Sequence, residues 1–223
     1  MSRFLAAAGY DTCLIGKSHL QNVSDWDVQI EPPEHREGYA VPPKELAVAK
    51  RSDLDNETFQ YERQAYWDRA DPTVPLPFYG FSEYVSVLRH GFNTGGDHLE
   101  WLKANASDTL GLRGRDQQFA HGYTVPQAIR TRVPEEHYST SYIADRTADW
   151  LKAREDNETP FLLVVSFPDP HHPFTPPGKY WDMYKPEDMP VPIAYETDDW
   201  DPPEYVKSAE HARASDPTLG QMA

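Results

Sequence analysis

Lys17 and His19 are the residues of this sequence best suited by type and spacing to handle an anion. Alternate residues of an extended segment point the same way, so a Lys-x-His pair leaving a strand sets an ammonium beside an imidazole. The ammonium supplies a fixed positive charge, and the imidazole donates to a bridging or leaving oxygen near neutral pH. An oxyanion fits that pair, although a Lys and a His at a strand end also make an ordinary solvated rim. A second group of imidazoles, His171 and His172, lies between Pro170 and Pro173. Proline fixes φ and restricts the residue before it, so these rings are held on a stiff segment, either as a site or as a turn with one ring buried and one exposed.

Other chemistry-bearing residues lead less far. Gly16-Lys17-Ser18 resembles the end of a phosphate loop, but that loop needs a glycine five positions earlier, where Asp11 stands. Asp97-His98 and His90, near Gly95-Gly96, form a polar cluster without zinc-ligand spacing. Cys13, between Thr12 and Leu14, reads as a small buried apolar residue. Asn-x-Ser/Thr sequons begin at Asn22, Asn56, Asn105 and Asn157, a pattern short enough to arise by chance.

The elements that must position these residues follow from hydrophobic patterning. Ser2 is a candidate N-cap for a helix over residues 2–8, stopped by Gly9. Tyr10 to Ile15 reads as a buried strand closed by Gly16, which puts Lys17 and His19 at its carboxyl end. Residues 25–71 are polar and proline-rich, a long surface excursion with short helical pieces. Strand character returns over Tyr84–Leu88, with a short helix predicted over Leu99–Asn105 and loops over 106–136. A clearer helix spans 139–154, where Ile143, Thr147, Trp150 and Leu151 share the face expected to pack on a sheet. Phe161–Phe167 is an unbroken apolar run, the pattern of a strand buried on both faces. Helix, strand, excursion, strand, helix, strand is an α/β order, and ligands in open α/β sheets bind at the carboxyl ends of strands.

Composition bounds the alternatives. A chain of 223 residues suits one well-buried domain or a piece of a larger one. No run approaches the roughly 18 apolar residues of a membrane helix. With 36 acidic and 21 basic residues the formal net charge is −15, the wrong sign for a nucleic-acid backbone. A single cysteine excludes an internal disulfide and any Cys-cluster metal site. It leans the expected compartment towards the cytoplasm, with periplasm or secretion left open should a signal have been lost with the N-terminus. Residues 181–223 form an acidic, proline-rich segment without periodicity, expected to be extended.

Two stretches together resemble the sulfatase family. Gly9-Tyr10-Asp11-Thr12-Cys13-Leu14-Ile15-Gly16-Lys17-Ser18-His19-Leu20 is similar to its second signature, GYxTxxxGKxHL. Pro160 to Phe174, with Ser166-Phe167 and Pro170-His171-His172-Pro173-Phe174, is similar to the PFFLxxSFxxPHxPF strand and loop downstream. The style is that of the arylsulfatase and phosphonate monoester hydrolase branch of the alkaline phosphatase superfamily. The resemblance implies an alkaline-phosphatase-like mixed sheet flanked by helices, incomplete in this chain. It implies sulfate contacts from Lys17, His19 and His171, while His172 occupies a variable position. It also implies a divalent cation, calcium first with manganese or zinc as alternatives, and a small-molecule sulfate or phosphonate ester as partner, with no nucleic acid or membrane.

The family's formylglycine arises from a C/S-x-P/A-S-R motif, which this sequence lacks. Its early Asp-Asp pair and later Asp-His-Gly or Asp-Asn element have no match either, since Asp198-Asp199 follows the second motif. The expectation is an internal fragment of a single sulfatase catalytic domain over 1–223, with nucleophile and metal ligands elsewhere. Such a fragment should be poorly stable when isolated, because missing strands leave apolar edges. The alternatives are a phosphonate or phosphodiester hydrolase of the same fold, and an anion-binding remnant without catalysis. Specificity for the organic half would come from loops 21–77 and 89–136, with Trp26, Tyr61, Trp67, Tyr79 and Trp101 as candidates.

Overall fold

A computed structural model describes residues 1–21, 38, 59–191 and 204. The chain divides into two compact units. The first comprises Met1–Arg89, Thr94–Glu100 and Ile143–Phe167, and the second His90–Asn93, Trp101–Tyr142 and Pro168–Ala223. Most of the 25–71 excursion, Asp198-Asp199 and most of the acidic segment lie outside the described residues. Among the described residues, no helix is long and apolar enough to cross a membrane.

The first unit is organised by a parallel sheet of β1 (Asp11–Gly16), β2 (Glu83–Ser86) and β3 (Phe161–Ser166), in the order β2-β1-β3. The short apolar run Thr12–Ile15 has neighbours on both sides and is buried throughout. Leu14 packs with Phe78 and Phe81, surrounded by Tyr61, Tyr79 and Tyr84. The Phe78 and Tyr84 rings stack 4.6 Å apart. Each such side chain, fully buried, contributes about 1.5–3 kcal/mol. Because the strands are parallel and Gly16 pairs with both Ser86 and Ser166, their carboxyl ends lie level.

The helix α1 (Ser2–Ala7) precedes β1 and ends before Gly9, whose φ of +87° suits a glycine. Ser2 is not its cap. Met1 holds that position, and the Ser2 hydroxyl donates to the Tyr79 carbonyl instead (2.7 Å). A short α2 (Gln64–Trp67) lies in the described end of the excursion, and α3 (Asp97–Asn105) begins two residues earlier than its pattern predicts. Asp97 explains the earlier start: its carboxylate accepts from the Ser86 amide and hydroxyl, while its own amide donates back to that hydroxyl.

The long helix α4 spans Ser139–Lys152. Ile143 on its predicted face is fully buried, but Leu151 is 43% exposed. Trp150 is instead the residue fixed on that turn, its indole donating to Glu83 and its ring edge-on to Phe161. Arg154 pairs with Asp11 (2.7 Å) and lies over the Trp150 and Phe161 rings. That arrangement ties the start of β1 to the segment leading into β3.

β3 itself departs from expectation. Its apolar run predicts burial on both faces, yet Phe161 is 46% exposed and the following residues are half-buried. It pairs only with β1 among the described strands, whereas the less uniformly apolar β1 takes the centre. Cys13 is 1% exposed on β1, and burial raises its thiol to about 12. Alkylation at pH 8 should therefore leave the folded protein unmodified and label Cys13 only on unfolding. Mass spectrometry with and without urea checks this, and rapid labelling of the native chain would contradict the buried strand.

Candidate functional site

The segment leaving β1 is shaped by Gly16. Its φ is +111°, and a Cβ there would collide with the Ser166 carbonyl. The close approach lets the Lys17 amide donate to that same carbonyl (2.9 Å), and the Gly16 carbonyl accepts from Val87 (3.1 Å). Lys17 is thus fixed at the carboxyl end of the sheet. Its side chain is half-buried, and among the described residues its ammonium makes no hydrogen bond or ion pair. Burial pushes its pKa below that of an ordinary lysine, with a smaller opposing effect from the Glu62 carboxylate. His19 is exposed two residues on.

Glu62 is the residue here that sequence reasoning missed. Only 2% exposed, its carboxylate accepts from the Ser18 hydroxyl, the Leu20 amide (3.2 Å) and the Gln21 amide (2.7 Å). It therefore grips the turn on both sides of His19. Tyr84 on β2 shares the Ser18 hydroxyl (3.0 Å), and its phenol is pushed up chiefly by burial. No spacing rule links Glu62 to a turn more than 40 residues earlier.

His171 belongs to the second unit. Both His171 and His172 are exposed, so the alternative with one ring buried does not hold. The His171 ring stacks on His90 at 3.6 Å, with 6° between planes. Its Nδ1 lies 2.6 Å from the His172 carbonyl. A carbonyl only accepts, so Nδ1 carries the proton, and Nε2 makes no hydrogen bond among the described residues. His90 is therefore a packing partner of His171. His98, by contrast, is 2% exposed in the first unit, with its Nδ1 on the Thr94 hydroxyl (2.8 Å).

The aromatic residues expected to set specificity are largely committed elsewhere. Trp67 is 6% exposed with its indole donating to the Tyr61 carbonyl, and Tyr61 and Tyr79 pack around Phe78. Trp101 packs on Tyr142 and His137, and Trp26 lies outside the described residues. A cavity of about 470 Å³ occurs instead in the second unit, walled by Tyr138, Asp169, Pro170, Phe174, Pro177 and Tyr180. Among the described residues no group of three or more His, Cys, Asp or Glu could hold a metal ion. They do not fit a divalent cation.

The sulfatase family profile matches residues 86–221. The chain is 41% identical over 97 residues to an arylsulfatase of Clostridium perfringens (strain 13 / Type A), covering 44% of this chain and 19% of that protein. It is 27% identical over 184 residues to the uncharacterized sulfatase YidJ of Escherichia coli (strain K12), covering 82% and 25% respectively. It is also 37% identical over 79 residues to the multifunctional alkaline phosphatase superfamily protein PehA of Trinickia caryophylli, covering 34% and 15%. With an α/β fold, a parallel sheet flanked by helices and a profile match over more than half its length, the chain belongs to the sulfatase family. It spans 15% to 25% of the length of these relatives.

Proposed function

We propose that the protein acts in sulfuric ester hydrolysis and that Lys17, His19 and His171 hold the sulfate group. The observation that carries this is Lys17: a half-buried ammonium, unpaired among the described residues, at the carboxyl end of the sheet. Burying an unpaired charge is costly, and an anion seated on it offsets that cost. Splitting a sulfate ester builds charge on its oxygens and on the leaving group, and placed donors stabilise that charge. Lys17 supplies a point charge, and His19 a further donor. His171 has its Nδ1 proton committed to His172, so it donates from Nε2 when that nitrogen is protonated.

A divalent cation, implied by the family, would neutralise charge on the sulfate oxygens. The described residues hold no ligand set for it, and every step assigned to this chain runs through its own three donors. No formylglycine precursor motif occurs in the sequence, so the chain's share of the reaction is binding and charge stabilisation. Phosphonate or phosphodiester hydrolysis by the same fold is the second reading. Tetrahedral sulfate and phosphonate groups demand the same donors.

Titration calorimetry with sulfate and with methylphosphonate tests both. Lys17→Ala is expected to weaken sulfate binding about tenfold to a hundredfold, the worth of a hydrogen bond to a charged group, with His19→Ala and His171→Ala smaller. Unchanged affinity in Lys17→Ala would overturn the proposal, and stronger binding of methylphosphonate would favour the second reading. The sign with pH is fixed by Lys17, whose folded pKa lies below its unfolded one. The buried ammonium therefore costs stability in full below the folded pKa, and that cost fades as pH rises from the folded pKa to the unfolded one. Sulfate needs the charged form, so its affinity should fall over the same range, below that of an ordinary lysine.

A further inference from the structure

The loop that carries His171 is closed at both ends by one buried phenol. Tyr138 is 3% exposed, and its hydroxyl donates to Asp169 Oδ1 (3.2 Å) and shares a hydrogen bond with Thr175 Oγ1 (2.7 Å). Thr140 donates to the other Asp169 oxygen (3.1 Å). A carboxylate accepts, so the phenol proton points to Asp169 and the Thr175 hydroxyl, 1% exposed as a residue, donates to the phenol oxygen. The bonds run in one direction, Thr175 to Tyr138 to Asp169, so each polarises the next.

Asp169 and Thr175 bracket the segment Pro170-His171-His172-Pro173-Phe174. Further contacts hold that segment along its length. The His171 amide donates to the Pro168 carbonyl, and Phe174 exchanges backbone hydrogen bonds with Gln127 and Ile129. Gly91 comes so close that a Cβ there would lie 2.8 Å from Thr175 Oγ1 and 2.9 Å from the Pro173 carbonyl, and the neighbouring His90 ring stacks on His171. Burial raises both the Tyr138 phenol and the Asp169 carboxyl, and the phenol stays a donor at every ordinary pH.

We propose that Tyr138 is a positioning residue for the anion: its hydroxyl clasps the two ends of the His171 loop through Asp169 and Thr175 and so fixes where the imidazole Nε2 stands. This rests on the sulfate-holding role of His171 proposed above. Tyr138→Phe keeps the ring and removes only the clasp, and Thr175→Val opens it from the other end.

The test is a double-mutant cycle on the 223-residue chain, reading sulfate affinity by calorimetry and the His171 tautomer by nitrogen-15 NMR. Tyr138→Phe should weaken sulfate binding about fivefold to tenfold, the range of one lost hydrogen bond, and should weaken it no further once His171 is alanine. The His171 Nδ1–H signature should change to a mixture of tautomers, which a loss of general stability would not produce. Should Tyr138→Phe fail to fold, Thr175→Val reads the same two quantities. Wild-type affinity and an unchanged tautomer in the clasp variants, with His171→Ala still weakening binding, would overturn the positioning role alone. Unchanged binding in both His171→Ala and Lys17→Ala would overturn the sulfate-holding role and the clasp's function with it.

Discussion

Replacing Gly16 with alanine is expected to destabilise the protein by roughly 3 kcal/mol or more, combining strain at positive φ with a clash that something must relieve. Gly16 has φ +111°, and an added Cβ would meet the Ser166 carbonyl and approach Ile143 Cδ1 to 3.3 Å. The backbone has little freedom to retreat. Gly16 is paired to Ser86 on one side and Ser166 on the other, and the Lys17 amide uses the very carbonyl that the methyl would strike. Relief therefore means opening one strand pairing and re-aiming Lys17. Urea unfolding measures the loss, and calorimetry should show weaker sulfate binding in any folded remainder. A change below about 1 kcal/mol, the size of an ordinary substitution, would show that β1 and β3 do not meet this closely.

Glu62→Gln is the second large expectation, about 2–4 kcal/mol of lost stability from leaving buried donors unsatisfied. Three donors converge on the carboxylate: the Ser18 hydroxyl and the Leu20 and Gln21 amides. An amide keeps one acceptor oxygen and turns an NH₂ group towards the remaining donors. The turn on both sides of His19 should loosen. Lys17 responds in a separate way, because the Glu62 carboxylate is what partly opposes the fall of its pKa. The variant should therefore show a lower denaturation midpoint together with a Lys17 titration displaced further downward. A variant as stable as the wild type, with Lys17 unmoved, would contradict the role given to Glu62.

The end of β1 was legible in sequence because the pattern that marks it is local, although the contacts that fix it, from Ser166 and Glu62, are not. Gly9 and Gly16 bound a short β-branched and apolar run, and the Lys-x-His pair follows directly. The helix over Ser139–Lys152 was legible for the same reason, since an amphipathic period is a local property. Burial was read less well. The apolar run of β3 looks more central than β1, but which strand is flanked on both sides depends on pairings between distant segments. Leu151 has the right period for the packed face and is exposed because Trp150 and Arg154 occupy the contact with Phe161.

The candidate residues were picked out in sequence by equally local signals. Lys17, His19 and His171 carry recognisable local spacing, and the stiffness of the proline-bracketed histidines needs no distant partner. Glu62 and Tyr138 do not announce themselves, because their roles exist only once chain separated by tens of residues is folded together. Aromatic residues in a polar stretch gave a signal that packing also explains. Tyr61 and Tyr79 read as a binding surface, yet they pack around Phe78, and Trp67 is buried with its indole donating to the Tyr61 carbonyl.

In the proposed function Lys17 is a half-buried cation that receives an anion. Following the Lys17 side chain by NMR through a pH titration, with and without sulfate, checks this role. The expected result is a titration below the 10.5 of an ordinary lysine in the free protein, moved upward when sulfate binds because the anion favours the charged form. A Lys17 that titrates as an exposed lysine and does not respond to sulfate would rule that role out.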